Sequence, residues 1–429
     1  MRLGGRLAAA IEVLEDITRR RRPAADALKD WGLSHRFAGS GDRAAIGNIV
    51  YDALRRKRSA GWLLDSDSSR SLGFGALLLE WNQTPEGLNA VLEGDRFAPP
   101  QLSDEEMQRL TSRNLADAPD EIRADIPDWC APLFKDAYGD DWVAEAAGLA
   151  TRPPLDLRVN TLKAEREKVL AELVDLPAGP ALLAPNGIRI PPIDGSGRHP
   201  NVQAEPAFQK GWFEVQDEGS QVVATLADAK PGMQVLDYCA GAGGKTLALS
   251  AAMENRGQVF AYDSEKARLA PIFDRLRRAD SRNVQVVAKP QELTPLQGQM
   301  DLVLVDAPCT GSGTWRRRPD AKWRLSEKQL GVRMSEQKAI LDAASEYVKP
   351  GGRLVYITCS VFPSENAEQI EGFLEGRKDF EPASHLRLWS DHFLGHGAAA
   401  RIDDRLGISL SPMQTGTDGF YVASLFRLD

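Results

Sequence analysis

Two cysteines stand just past short apolar runs. DLVLVD at 301–306 leads into DAPCTGSGT, Asp306 to Thr314, and RLVYITC at 353–359 leads into TCSVFPSEN, Thr358 to Asn366. Such runs read as buried strands, so Cys309 and Cys359 each lie at a strand's carboxyl end. A lone cysteine at such a place is more often a buried, inert thiol than a reagent. Two of them, on strands that are often neighbours in a doubly wound sheet, could face one cavity.

A pair of thiols suits one reaction in particular, methylation of carbon-5 of a pyrimidine. That carbon is a poor nucleophile while the ring is aromatic. Addition of a thiolate at carbon-6 gives an enamine whose carbon-5 attacks an electrophilic methyl group, which is nucleophilic covalent catalysis. Loss of the carbon-5 proton and expulsion of the first thiol follow, and a second thiol can assist. Asp306 stands where a carboxyl group would stabilise the adduct near N3, and Lys245 could orient the base. A free thiol near pKa ~8.5 is mostly protonated at neutral pH, so local positive charge or a helix N-terminus is expected nearby.

The methyl donor needs a site of its own. MQVLDY, 233 to 238, runs into CAGAGGKT, Cys239 to Thr246. A phosphate-binding P-loop would need glycine at position 239, which is cysteine, and a dinucleotide fingerprint would need glycine at position 246, which is threonine. The remaining reading is a methyltransferase loop that packs against the methionine part of S-adenosylmethionine. Asp263, closing the run QVFAYD, can accept two ribose hydroxyls; as an alternative it caps the next helix.

The elements that must position these residues recur regularly after Pro231-Gly232. Apolar runs at 233–238, 258–263, 284–288, 301–306 and 353–359 alternate with helix-compatible segments, and a further run follows at 420–426. This is the pattern of an α/β domain with a parallel sheet covered on both faces, whose ligands gather at the carboxyl ends of its strands. Upstream, LDLRVN at 155–160 and Gly187 to Pro191 read as strands, and 142–149 and 162–173 as helices. The first 58 residues read as helical, with Leu7, Ile11 and Leu14 on one stripe and Ile46, Ile49, Val50, Ala53 and Leu54 on another. The expected division is 1–128 helical, 129–215 a small α+β subdomain, and 216–429 the α/β domain.

Hydrophobic residues make up 42% and charged residues 27% of the 429, which excludes a mainly disordered or fibrous chain. No apolar stretch is long enough to cross a membrane, and the amphipathic N-terminus does not resemble a signal peptide, so a cytoplasmic protein is expected. The four cysteines are widely spaced, suggesting neither a disulfide framework nor a metal site. The net charge of −8 hides its distribution: residues 1–58 carry +6, 59–150 carry −12, and 151–429 carry −2. The acidity is therefore local. Basic runs at Arg19–Arg22 and Arg55–Arg58 complement helix dipoles or form a phosphate-contacting face. WRRRPDAKWR, 315 to 324, follows the Cys309 loop with five basic residues and two tryptophans. Trp315, Arg316, Arg317, Arg318, Lys322, Trp323 and Arg324 are expected to meet RNA, through phosphate contacts and base stacking; the alternative is a solvated loop whose tryptophans anchor it to the core. Arg268, Arg275, Arg277, Arg278 and Arg282 read instead as the solvated face of one helix. The acidic stretch is expected to turn away from RNA, with 1–58 and 315–324 towards it.

The combination of CAGAGGKT, DAPCTGSGTWRRRPDAKW and YITCSVFPSEN resembles the Nop/Sun family of RNA 5-methylcytosine methyltransferases, most closely the bacterial RsmB (Fmu) type. RVNTLK at 158–163, FEVQDEGSQ at 213–221 and GTDGFYVA at 416–423 are similar to the family's flanking segments. Ala242 stands where the family's loop usually carries proline. The resemblance implies a Rossmann-like class I methyltransferase domain with a mostly parallel sheet, preceded by an α+β subdomain that contacts RNA. The helical start, including DRAAIGNIVYDALRRKRS at 42–59, more loosely resembles a NusB-like RNA-binding domain. It implies Cys359 as nucleophile and Cys309 for product release, with Asp306 and Lys245 completing the catalytic set. It further implies that Cys239, Ala240, Gly241, Gly243, Gly244, Lys245, Asp263 and Asp306 bind S-adenosylmethionine. The expected activity is methylation of cytosine carbon-5 in RNA, from small-subunit (16S) ribosomal RNA, by a monomer without metal. Methylation of tRNA, or a non-catalytic ribosome-assembly role, are the alternatives. Cys130 and Cys239 are expected to be packing residues.

Overall fold

The computed structural model describes residues 1–395 and 400–429 and divides into two compact units. The first comprises Met1–Pro153 with two later insertions, Pro192–His199 and Trp315–Leu325. Its core helices are α1 (Leu3–Arg20), α2 (Ala24–Ser34), α3 (Ser40–Arg55), α4 (Lys57–Leu64) and α5 (Ser69–Glu80). Leu7, Ala10, Val13 and Leu14 of α1 meet Ile46, Ile49, Val50 and Ala53 of α3 and Leu72, Phe74 and Leu77 of α5 in one core. The stripes read from the sequence are these buried faces, because residues three and four apart share one side of a helix. Two further helices follow, Pro85–Leu92 and Asp104–Ser112; the second opens with a capping box of Ser103 and Glu106. The expected boundary at 128/129 falls inside this unit, which continues through the helices Ala131–Tyr138 and Trp142–Gly148.

The second unit contains two sheets. The smaller joins β1 (Leu155–Val159), β2 (Gly179–Pro180), β3 (Gly187–Ile190) and β4 (Phe213–Val215) in the antiparallel order β2-β3-β1-β4. The helix expected over 162–173 is shorter, Arg166–Glu172. Asn160 accounts for the difference: its side chain accepts the Leu162 N–H and donates to the carbonyls of Gly211 and Ala279, holding 160–164 as a turn.

Among the described residues the larger sheet has nine strands. β5 (Gln234–Asp237), β6 (Gln258–Tyr262), β7 (Val284–Val287), β8 (Met300–Asp306) and β9 (Val348–Thr358) are parallel, in the order β9-β8-β5-β6-β7. β10 (Phe380–Pro382), β11 (Arg401–Asp403), β12 (Gly407–Leu410) and β13 (Phe420–Arg427) extend it antiparallel beyond β9. Leu302 to Val305 of β8 and Leu354 to Ile357 of β9 are fully buried, as expected of strands covered on both faces. The strand order reverses between β5 and β8, and open α/β sheets bind ligands at such a switch point.

Candidate functional site

β8 and β9 are hydrogen-bonded neighbours, with Asp306 level with Ile357. Their adjacency puts Cys309, three residues past the end of β8, beside Cys359, one residue past the end of β9. The sulfurs are 3.3 Å apart, a distance at which one thiol donates to the other. Both side chains are half-buried. The Cys309 thiol is pushed well up, first by its hydrogen bond with Cys359, then by burial, and then by the nearby Cys359 and Glu365 charges.

The residue just before β13 ties into the loop that carries Cys309. Gly313 donates to the Cys359 carbonyl at 3.0 Å, and Gly419 donates to the Gly313 carbonyl at 2.8 Å. A Cβ on Gly313 would lie 2.0 Å from the Gly419 oxygen, so only glycine permits this approach.

Across the switch point, Lys245 Nζ bonds Asp306 Oδ2 at 2.6 Å, with the lysine buried and the aspartate about one-third exposed. The lysine lies in the first turn of the helix Gly244–Ala252, after Gly243, whose φ of +83° makes the turn out of β5. A Cβ there would meet Ile272 at 2.4 Å. Four sequence-expected residues, Cys309, Cys359, Asp306 and Lys245, therefore lie at the carboxyl ends of β5, β8 and β9.

The nucleoside side is equally built. Asp263, just past β6, accepts the Gly241 N–H on Oδ2 and the Glu265 N–H on Oδ1, each at 2.9 Å. It therefore makes the turn-capping bonds weighed above and, with further lone pairs on both oxygens, retains the capacity to accept ribose hydroxyls. Half-exposed Arg268 stands 3.4 Å from its Oδ2. The left-handed turns at Gly241 and Gly243, the carboxylate and the Lys245–Asp306 pair fit a nucleoside-bearing sulfonium cofactor.

Several polar residues escaped the sequence reading. Asp237, fully buried at the end of β5, accepts from Thr246 Oγ1 at 2.6 Å. Burial, aided by the Asp306 charge, pushes its carboxyl up to about 7 against the lowering effect of Thr246. Burial pushes the Cys239 thiol up, consistent with a packing residue, and Cys130 is wholly buried in the helical unit. Glu365 was visible only as one letter of TCSVFPSEN.

WRRRPDAKWR requires a correction. Trp315, Arg316 and Lys322 are 1%, 4% and 1% exposed. The Arg316 carbonyl accepts from Arg55, Lys322 donates to the carbonyls of Asp125 and Arg55, and Trp323 donates to the Leu54 carbonyl at 2.7 Å. Burial pushes Lys322 down to about 8. These side chains fasten an inserted segment into the helical core, so Trp315, Arg316 and Lys322 do not present faces for bases or phosphates. Arg317 is half-buried, Trp323 packs on the core, and Arg318 and Arg324 are exposed, Arg324 paired with Asp320.

The second basic run also turns inward: Arg55 pairs with Asp52, and Arg56 with Glu80 and Asp125. Arg19 to Arg21 stay exposed. The acidic stretch is not uniformly a surface, since Asp125 and Glu145 are 0% and 3% exposed. Arg275 and Arg278, read as a solvated face, both bind Glu214 of β4, whereas Arg277 and Arg282 remain exposed.

Comparison with known proteins agrees with the geometry. Residues 224–426 match the family described as 16S rRNA methyltransferase RsmB/F, and residues 126–191 match the RsmF/B-like ferredoxin-like domain. A ribosomal RNA small subunit methyltransferase B from Enterobacter sp. (strain 638) is 30% identical, over 90% of this chain and 91% of the relative. A probable ribosomal RNA small subunit methyltransferase B from Synechocystis sp. is 28% identical, over 97% and 98%. The crystal structure of a methyltransferase homolog from Pyrococcus horikoshii superposes with a TM-score of 0.60 at 26% identity, covering 72% of this chain and 98% of that one. Among the described residues no helix is long and apolar enough to cross a membrane. The chain belongs to the RsmB/F family of S-adenosylmethionine-dependent rRNA methyltransferases.

Proposed function

We propose that this protein methylates carbon-5 of a cytosine in 16S ribosomal RNA, in the cytoplasm and as a monomer, through a covalent adduct with Cys359. The observation that carries the reading is the 3.3 Å contact between Cys309 and Cys359 at the ends of adjoining strands. Bound S-adenosylmethionine supplies the electrophilic methyl group. The Cys359 thiolate adds to carbon-6, and the displaced ring electrons make carbon-5 nucleophilic. Asp306, steadied by Lys245, faces the polar edge of the base and stabilises charge near N3. After methyl transfer the carbon-5 proton leaves to a water held beside Cys309. The electrons of that C–H bond re-form the ring double bond and expel Cys359 as thiolate. A stacked base exposes neither carbon to a thiol, so the target cytosine is unpaired or flipped.

Gly241, Gly243, Gly244, Cys239 and Ala240 shape the cofactor loop, and Asp263 takes the ribose. Arg318 and Arg324, the exposed arginines of the inserted segment, are the ones offered to the RNA backbone. The test is bisulfite sequencing of 16S ribosomal RNA and tRNA from cells with and without the gene, joined to methyl transfer in vitro from labelled S-adenosylmethionine. A 16S cytosine should lose protection when the gene is absent. Loss confined to tRNA would overturn the substrate, and binding without transfer would overturn the reaction.

A further inference from the structure

Beneath the two thiols lies a carboxylate that the proposed reaction does not itself use. Glu365 is completely buried, at the end of the short turn Pro363–Glu365. Its Oε1 accepts the Thr310 N–H at 2.8 Å and Gln337 Nε2 at 2.9 Å. Its Oε2 accepts the hydroxyls of Thr310 and Ser360, both at 2.5 Å. Thr310 directly follows Cys309, and Ser360 directly follows Cys359. One side chain thus binds the residue after each cysteine.

The neighbours complete the frame. Gln337 also donates to the carbonyl of Pro308, the residue before Cys309, at 3.0 Å. Asn366 accepts from Thr358, the residue before Cys359, and donates to the Ser360 carbonyl at 2.9 Å. The Ser360 hydroxyl hydrogen goes to Glu365, so Ser312, 2.9 Å away, donates to Ser360 while accepting the Val361 N–H. A carboxylate carries no donor and can accept four bonds, which is the number converging here. A buried negative charge with four donors is well compensated and rigidly placed.

We propose that Glu365 is the positioning residue of the thiol pair: it clips the β8 loop to the β9 loop and thereby holds the two sulfurs in contact. It touches neither sulfur's reaction partner and acts only through Thr310 and Ser360. Its charge also disfavours ionisation of the neighbouring Cys309 thiol. The inference rests on the cytosine carbon-5 methylation proposed above for its kinetic consequence, but its geometric part is measurable without turnover.

Two variants separate position from charge. Glu365→Gln keeps an oxygen for Thr310 N–H and Gln337, and its amide can donate to the two hydroxyls once these rotate. Glu365→Ala removes every bond. Phenylarsine oxide, which is held tightly only by two adjacent thiols, probes the contact in the full chain. Wild type should capture one equivalent, and Cys359→Ala none. Glu365→Ala should lose most of the capture and about 10²-fold in kcat, with little change in KM, as expected for a small displacement of a reacting group. Glu365→Gln should keep the capture, while the pH profile of Cys309 alkylation shifts to lower pH.

Wild-type capture and wild-type kcat in a Glu365→Ala variant that still binds S-adenosylmethionine would overturn the proposal. An unshifted alkylation profile in Glu365→Gln would overturn its charge component. If Glu365→Ala does not fold, the double variant Thr310→Val with Ser360→Ala decides the matter, since it removes both hydroxyl links and leaves the carboxylate. If wild type captures the arsenical but transfers no methyl group to RNA, the reaction fails and the positioning stands. If wild type methylates RNA and the folded Ala variant still captures, the positioning fails and the reaction stands.

Discussion

The thiol pair and the segment WRRRPDAKWR looked equally functional as sequence, yet they have different fates. Cys309 and Cys359 meet where their strand-end positions imply, because neighbouring parallel strands deliver their last residues to a common edge. The basic, tryptophan-bearing segment instead supplies the helical unit with a buried plug. The difference lies in chemical versatility. Arginine, lysine and tryptophan have long apolar stems and polar tips, so the composition that suits RNA equally suits a core with spare backbone carbonyls. A cysteine pair at two strand ends has fewer alternative uses.

Four kinds of substitution break or sharpen this contrast. Cys359→Ala should cost more than about 10³-fold in methyl transfer and abolish the covalent RNA adduct on denaturing gels; ordinary turnover would end the nucleophile assignment. Cys309→Ala should slow release by about 10²-fold or more and let that adduct accumulate. Exchanged phenotypes would keep the chemistry and reverse the roles.

On the other side of the comparison, Lys322→Ala should destabilise the protein by about 3 kcal/mol, through lost packing and the unsatisfied carbonyls of Asp125 and Arg55. Urea titration reads this loss. RNA affinity measured where the variant is still folded should be unchanged, and a drop there would return Lys322 to the RNA surface. The sign of the pH dependence is also fixed. Burial lowers the Lys322 pKa from 10.5 to about 8, so between these values the unfolded chain holds more proton than the folded one. Its contribution to stability therefore rises as pH increases from about 8 towards 10.5, and Lys322→Met should flatten that rise. The smallest effect is expected at the exposed arginines. Replacing Arg318 and Arg324 by Ala should weaken RNA binding modestly and reduce the salt-dependence slope by about 1 to 2. An unchanged slope would remove the segment from the RNA altogether.

Much of the α/β unit was legible from local pattern. The strands β5 to β9 and β13 coincide with apolar runs because strands buried on both faces must be nearly continuous in Val, Leu and Ile. β10, β11 and β12 carried no such signal: they are three or four residues long and lie at the antiparallel side of the sheet. Residues with two possible duties were the illegible part. Asp263 serves the loop through two backbone bonds, and Arg275 and Arg278 spend their charge on Glu214 rather than on solvent. Nothing in spacing along the chain distinguishes an arginine that faces water from one that meets a carboxylate 61 residues away.

The contrast between local and total charge changes in the same way. The sequence by itself determined that the negative excess lies in 59–150 and that four chemically suited residues close three strands of one sheet. Only the tertiary structure decided which charges are spent inside: Arg55 pairs with Asp52, Arg56 pairs with Asp125, and Lys322 donates to the Asp125 carbonyl in a core. It also decided that Glu365, 56 residues from Cys309 in sequence, joins that cysteine's loop to its partner's. Strand periodicity is a local property that burial imposes on neighbouring residues. The partner of a buried charge is a property of the whole packing, because desolvation forces each charge to find its counterpart wherever the fold supplies one.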